Sequence, residues 1–593
     1  MARGFLMSKV PKSLLLFFNL LIYCFGLQFA VASELDATSQ SLPWWKTAVF
    51  YEIYIKSFKD TTGDGVGDIN GITEKLDYLQ NLGVDAILLT PHYDSPGKDS
   101  GYDVSDYRRV MKEYGNNHDF DVLVSELKKR NMRIMIDVVV NHTSEEHPWF
   151  IESIKSKDNP YRDFYIWRDG VNGGPPTDNN SSFGGSSWEE SKQTSQYYYH
   201  TFASSQPDLN WDNPRVRDAV YEDIRFWLDK GVSGLRFDAV ADFVKPYDSK
   251  AQFEKFKSDT VEKVVDPKVH SYIKDMHENL FAGRDLATIA EVWRTPPEEI
   301  QLFTNPSNKE FNLAFIFDAI FIGRRSVWEA KEWSIPEFKR AISNVDRITG
   351  SNGWGAFFLS NHDNARVVSH FGNDSAEWRD SSSKALALLS LTQRGTPFIY
   401  QGDEIGMTNY PFKDINDFDD IQLKGYWRDL VETGTIDREY FLNNARQTNR
   451  DNGRTPFQWD SSTSGGFTTG TPWISVNPNY ISINASSQVN EPKSVFNFYR
   501  KLIKLRKSNP ALVVGEYRDL DPSHDQVFAY TRTLGTESFL IVINMTDYQV
   551  KYSLPNKLNR GKLILQNLPD QSSNSSLEFM DLRPWQASIY KLD

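Results

Sequence analysis

Cysteine is all but missing from this chain of 593 residues. Its only one, Cys24, lies in an apolar N-terminal run, so the rest of the chain cannot form an internal disulfide. Long uncharged stretches are equally scarce. One that is also apolar spans Ser13 to Ser33 and no second apolar one follows, residues 461–490 being uncharged but rich in Ser, Thr, Gly and Asn, while the C-terminal Trp585–Asp593 lacks the hydrophobic tail that a lipid-anchor signal requires. Positive charge is in short supply as well, with 66 Lys and Arg against 79 Asp and Glu, a net charge of −13. Residues 1–32 hold Arg3, Lys9 and Lys12 and no acid, leaving 63 basic against 79 acidic residues and a net charge of −16. That sign repels phosphate backbones and excludes nucleic acid as the expected partner. Neither H-E-x-x-H nor G-x-S-x-G occurs, which leaves zinc-peptidase and serine-hydrolase readings without an anchor.

What is present fits a large globular enzyme. Charged residues at 24% and hydrophobic ones at 39% are ordinary for a folded chain. The 16 Trp, 27 Tyr and 38 Phe supply a core and rings that can line a cleft for an amphipathic ligand such as a sugar. The basic start, the apolar run and Ala30-Val31-Ala32 read as a signal peptide over residues 1–32, hence a secreted mature chain with no transmembrane span. Sequons at Asn179, Asn180, Asn373, Asn484, Asn544 and Asn574 fit that route, and the one at Asn141 ends an expected buried strand.

From about residue 47 short apolar runs alternate with amphipathic helices. Ile72 to Leu82 reads as a helix closed by Gly83 and followed by a strand over Asp85 to Thr90. The unit recurs with strands expected over Arg133–Val140, Gly234–Asp238, Leu286–Val292, Phe311–Phe317, Ala356–Ser360 and Thr396–Tyr400, and Val49–Ile55 precedes them all. Eight strands apolar throughout imply a parallel sheet buried on both faces, and predict a (β/α)8 barrel over residues 43–142 and 208–505. The Gly-, Pro-, Asn- and aromatic-rich stretch 143–207 is too long for an ordinary loop and reads as a subdomain inserted after strand three. Alternating β-rich runs predict a C-terminal antiparallel β-sandwich over 510–593.

In such a barrel the site lies where the strands end. Those ends carry Asp137 with Asn141-His142, Arg236-Phe237-Asp238, Glu291 in Ala290-Glu291-Val292, and Asn361-His362-Asp363. Several acids on one rim repel each other unless chemistry uses them, and a pair of carboxylates flanking a bond suits glycoside hydrolysis. Together with Gln206-Pro207-Asp208-Leu209-Asn210, these motifs resemble the α-amylase clan, and within it the insect maltases, sucrases and oligo-1,6-glucosidases, over residues 44–505.

The resemblance implies Asp238 as nucleophile, Glu291 as general acid and then base, and Asp363 as stabiliser of the sugar. Arg236 would keep Asp238 ionised, with Asp137 satisfying that arginine. His142 and His362 would donate to sugar hydroxyls, Tyr102 would stack on the ring, and Arg454 would pair with Asp99 across the closed end of the pocket. In the family, the loop Asp60-Thr61-Thr62-Gly63-Asp64-Gly65-Val66-Gly67-Asp68 binds Ca²⁺ through Asp60, residue 62 (here Thr62), Asp64, the Val66 carbonyl and Asp68. The implied activity is a retaining, exo-acting α-glucosidase working on maltose, sucrose and short oligosaccharides, with transglucosylation as a side route. Ala239 after the nucleophile favours maltose-like or sucrose-like over α-1,6 substrates. Amino-acid transporter heavy chains share the barrel, carry a membrane segment and have lost catalysis; the three clustered acids argue against that alternative.

Overall fold

The computed structural model describes residues 42–245, 265–555, 560–569 and 577–593. The expected signal peptide and the sequon at Asn574 lie outside the described residues. Residues 42–47 belong to an N-terminal unit and contain the short helix Trp44–Thr47; everything from Ala48 onward forms a second unit.

Eight parallel strands close into a barrel: β1 (Phe50–Ile53), β2 (Ala86–Leu89), β3 (Arg133–Val138), β4 (Gly234–Phe237), β5 (Ala287–Glu291), β6 (Leu313–Phe315), β7 (Gly355–Phe357) and β8 (Thr396–Tyr400), with β8 pairing back onto β1. All eight expected strands are present, each shorter than or equal to its apolar run, because pairing stops where the chain turns outward to build the rim. Burial of both faces explains why these strands do not alternate apolar with polar residues.

Helix ends follow local chemistry. Asn116 and Asp119 form a reciprocal capping box that starts Asn117–Lys129. Pro214 opens Pro214–Asp229, with the Asn213 side chain accepting from the Arg215 N–H. The helix expected over Ile72–Leu82 is two pieces, Ile69–Glu74 and Leu76–Leu82, broken where Lys75 leaves helical geometry (φ −100°, ψ 7°). Gly83 ends the second piece in the left-handed region at φ 100°.

The insertion after β3 is a small subdomain with helix Pro148–Ser153 and an antiparallel sheet of Trp167–Asp169, Gln196–Tyr199 and Trp188–Ser191. Bridges His142–Asp208 and Tyr165–Leu209 bring its two ends together. Lys245, beyond β4, reaches back to Asp208 at 2.7 Å and bonds Asn141, so the loop carrying the candidate nucleophile is clamped to the base of the insertion.

After the barrel, five antiparallel strands (Glu516–Asp519, Val527–Leu534, Glu537–Asn544, Ala587–Leu592, Gly561–Gln566) and a separate pair (Val550–Ser553, Phe579–Leu582) make the terminal sandwich. Strand periodicity sends Phe528, Tyr530, Phe539 and Ile541 into the main core and Val527, Ala529, Leu540 and Val542 toward Tyr552, Met580 and Leu582.

Candidate active site

The rim is organised around one guanidinium. Arg236 on β4 and Asp238 just past its end are two residues apart and face the same way. The Arg236 Nη1 donates to both oxygens of Asp137 at 2.7 and 2.8 Å and to Asp238 Oδ1 at 2.7 Å, while Nη2 lies 2.7 Å from Glu291 Oε1. The Ala239 N–H donates to Glu291 Oε2 at 3.0 Å, an orientation reached because Ala239 sits in the left-handed region at φ 47°. A β-branched side chain would be strained there, which is a local reason for the small residue after the nucleophile.

Two buried acids, Asp137 and Asp238, and the nearly buried Glu291 thus share one cation. Burial, only partly opposed by Arg236, pushes the Glu291 carboxyl up to about 7 and Asp238 to about 6, and Glu291 hydrogen-bonds to Asp238. Glu291 thus holds its proton to a higher pH than Asp238, the order that a proton donor and a nucleophile require. Carboxyls this close match the retaining arrangement, since inverting enzymes need a gap for water between them.

Asp363, whose side chain is 30% exposed to the pocket, is placed differently. Its Oδ1 accepts from Arg454 Nη2 at 2.8 Å and Arg450 Nη1 at 3.1 Å, and its Oδ2 lies 3.1 Å from His362 Nε2. Burial would raise its carboxyl, but His362, Arg450 and Arg454 hold it well below the usual range. The His362 Nδ1 lies 2.6 Å from Glu52 Oε1.

Asp238, Glu291, Asp363 and Arg450 line a cavity of about 480 Å³ together with Asp99, Tyr102, His142, Phe183 and Phe202, and with Trp293, Phe317, Phe321 and Val327; His362 and Arg454 stand behind its wall. Tyr102 lines it as expected, its hydroxyl donating to Asp137 Oδ2 at 2.8 Å and its ring stacked on His362 at 5.5 Å. His142 also reaches the cavity; burial lowers its pKa, so it is neutral, with Nε2 3.0 Å from the Tyr102 carbonyl.

One expected pairing is wrong. The arginine facing Asp99 is Arg450, at 3.2 Å, and it also grips Asp420 at 2.7 Å. Arg454 pairs with Asp363 and donates Nε to the His362 carbonyl at 2.9 Å. The two arginines are four residues apart, so both reach Asp363 from one face, but Arg450 sits one turn nearer Asp99. Sequence reading missed Arg450, Asp420 and Glu52, and quoted Gln206 without giving it a role; its Nε2 donates to Asp99 Oδ2 at 3.1 Å. The i, i+4 arginines in Arg450-Asp451-Asn452-Gly453-Arg454, and a lone acid inside the apolar run Val49–Ile55, were the available signals.

Elsewhere, three sequons are closed. Asn179, Asn484 and Asn544 are buried, with the Asn484 and Asn544 amides bonded to backbone carbonyls, so none can carry a glycan in this fold. The Asp60–Asp68 loop is held by its own bonds. Asp60 accepts from the N–H groups of Thr62, Gly63 and Gly65, and Asp68 from those of Thr61 and Gly71. Among the described residues no three acidic, His or Cys side chains converge as a metal-holding group.

A parallel eightfold barrel with acids gathered on its rim and a cavity sized for a small sugar defines a glycoside hydrolase. The chain belongs to the α-amylase family, whose catalytic-domain model matches residues 52–515. It is 43% identical over 557 residues to an oligo-1,6-glucosidase of Parageobacillus thermoglucosidasius, a match covering 93% of this chain and 99% of that protein. A mutant isomaltulose synthase of Erwinia rhapontici NX5, solved with its natural substrate sucrose, shares 53% identity over 94% of this chain and all of its own, with a TM-score of 0.91. A mutant trehalulose synthase shares 51% identity over 93% of this chain and all of its own, with a TM-score of 0.90. The chain is therefore an enzyme of α-glucosidase type. Among the described residues no helix is long and apolar enough to cross a membrane. The relatives are enzymes, and they do not favour the transporter heavy-chain alternative.

Proposed function

We propose that this α-glucosidase acts on sucrose and short α-glucosides from the non-reducing end, and passes the glucosyl group partly to water and partly back to the released fructose. The closed end of the pocket carries this reading. Arg450 is bound to Asp99, Asp363 and Asp420 at one end of the cavity, which supports a wall behind a single terminal glucosyl unit. Trp293, Phe317 and Phe321 in the same cavity offer apolar faces for the leaving sugar. The likeness to isomaltulose and trehalulose synthases supports transfer to fructose.

The chemistry balances over two steps. Asp238 attacks the anomeric carbon as Glu291 gives its proton to the glycosidic oxygen, freeing fructose and leaving a glucosyl ester on Asp238. Glu291, now a carboxylate, takes a proton from water or from a fructose hydroxyl, whose oxygen attacks the same carbon and releases Asp238. Two inversions retain the α configuration. Incubation with sucrose, followed by NMR, should show α-glucose as the first hydrolysis product alongside glucosyl-fructose isomers. β-Glucose as the first product, or internal cleavage of amylose faster than disaccharide hydrolysis, overturns the reading.

Three further elements belong to the proposal. Secretion is supported by the basic start and Ala30-Val31-Ala32, and implies a mature chain beginning at Ser33. Of the described sequons, Asn180 is exposed and Asn373 half-buried, and these two are the expected glycan carriers. Calcium at the Asp60–Asp68 loop is supported only by the sequence spacing of Asp60, Asp64 and Asp68, whose side chains do not converge. Because backbone bonds already hold that turn, millimolar Ca²⁺ against chelator should raise Tm by only about 1–3 °C, by mass action on the folded state. No shift on calcium addition to chelator-treated protein rejects the site.

A further inference from the structure

We infer that Glu52, on the first barrel strand, is a positioning residue for the reaction, holding the His362 imidazole as an oriented cation that in turn keeps Asp363 ionised and aimed at the glucosyl unit. This rests on the α-glucosidase reading of the site and adds to it a member from a strand that supplies no other catalytic group.

Glu52 is 3% exposed, in a run whose other members Val49, Phe50, Tyr51, Ile53, Tyr54 and Ile55 are all apolar or aromatic and buried. Its neighbours across the sheet are Leu88 and Tyr400. A carboxylate there is costly unless its charge is matched, and a hydrophobic residue would serve packing better. Its Oε1 takes two bonds from one residue, from the His362 Nδ1 at 2.6 Å and the His362 backbone N–H at 3.2 Å. Ring and backbone are thereby fixed together, and the proton on Nδ1 leaves Nε2 facing Asp363 Oδ2 at 3.1 Å. The result is a carboxylate–imidazolium–carboxylate line running from the barrel interior to the pocket wall.

Groups from several elements face the imidazole. Glu52 and the Tyr54 ring come from β1 and its end, Tyr102 from the loop after β2, Asp137 from β3, Arg236 from β4, and Arg454 lies against the His362 carbonyl. Arg236 is fully engaged by Asp137, Asp238 and Glu291. A cavity of about 10 Å³ bordered by Glu52, Asp137, Arg236 and His362 joins the undersides of the two groups. Burial lowers the proton affinity of His362, but Asp363 and Glu52 together raise its pKa to about 10. Neutralising Glu52 removes one of those two supports while burial still acts, so the imidazole should lose its proton at a lower pH.

The test is Glu52→Gln, which keeps the shape and an oxygen to accept from Nδ1 but removes the charge. Relative to wild type at each pH, kcat/KM on sucrose should be nearly unchanged at pH 5.5 and fall about tenfold by pH 8, as a one-unit loss of protonation would give. Adding Glu52→Gln to His362→Asn should cost nothing further, because the effect passes through the imidazole. A loss equal at all pH values, an additive double variant, or an unchanged profile overturns the inference. If Glu52→Gln fails to fold, wild-type imidazole NMR decides, with the His362 resonance assigned by its loss in His362→Asn. A resonance that stays protonated from pH 5.5 to 8 supports the inference, and one titrating near 6.5 overturns it. Wild-type turnover of sucrose in the same assay tests the underlying reading separately.

Discussion

The two ends of the pocket use carboxylates under opposite electrostatic regimes. At the cleavage end Asp137, Asp238 and Glu291 share the single Arg236, and burial leaves them reluctant to ionise. At the stabiliser end Asp363 meets three cations, Arg450, Arg454 and His362, although Arg450 is shared with Asp99 and Asp420 and His362 with Glu52, and it is ionised well below neutral pH. The difference shows how one rim serves two tasks. The acids that must pass a proton divide one arginine among three carboxyls, whereas the carboxylate that must present a permanent negative charge touches three cations.

The hardest blow to this contrast comes at the cleavage end. Asp238→Asn or Glu291→Gln should lower kcat on sucrose by about 10²–10⁴-fold with folding intact, since a positioned acid, base or nucleophile contributes on that order. Circular dichroism alongside the assay separates chemistry from misfolding, and near-normal turnover in either variant would remove the assignment. Next in size is Arg450→Ala at the stabiliser end. Truncating it leaves Asp99 and Asp420 short of their common partner, so glucoside binding should weaken by about 2–5 kcal/mol. That loss should appear mainly in KM and be larger than for a surface pair. Equal KM in wild type and variant would mean that Arg450 does not close the pocket.

The unequal proton affinities also set a pH profile. Activity needs Asp238 ionised and Glu291 protonated, so kcat/KM should fall as pH drops through about 6 and again as it rises through about 7, giving a narrow bell. Asp363 should add no limb, because it stays ionised throughout. A profile flat from pH 5 to 9 would show that sharing one arginine does not set the proton affinities of the cleavage end.

Much of this was legible in the sequence because barrels repeat. Eight apolar runs announce eight buried strands, and a strand end is where the chain delivers a residue to the rim, so Asp238, Glu291 and Asp363 could be picked out in advance. The arginines were harder. Arg450 and Arg454 come from a helix after β8, far along the chain, and which of them reaches Asp99 depends on the approach of that helix, which no local pattern encodes. Glu52 was hidden for the opposite reason: it stands in the strongest strand signal of the chain, where an acid reads as an exception in a buried run. The curated 1,6-glucosidase relatives and Ala239 also point to different linkages, because the shape of one side chain beside the nucleophile does not define the leaving-group wall.

The smallest expected effect tests the contrast through stability, where its two ends should respond with opposite sign. Glu291 has a folded pKa above its unfolded value, so the native state binds the extra proton. Its contribution to stability is complete below the unfolded pKa and is lost as pH rises toward about 7. Glu291→Gln abolishes that loss, so the Tm of the variant relative to wild type should climb between pH 5 and pH 8. Asp363 is depressed instead, so its contribution is present above the unfolded pKa and disappears only as pH falls through its low folded value. Asp363→Asn should therefore lower Tm at pH 7, and the deficit should shrink toward pH 3.5. For Glu291 the change is on the order of 1–3 kcal/mol before relaxation of the neighbouring arginine, which in a chain of this size moves Tm by only about 1–3 °C. Calorimetry across that pH range can resolve it. Parallel Tm shifts in the two variants would show that the ends do not differ in their balance of charge, and matching signs at every pH would leave the catalytic division of labour without its electrostatic cause.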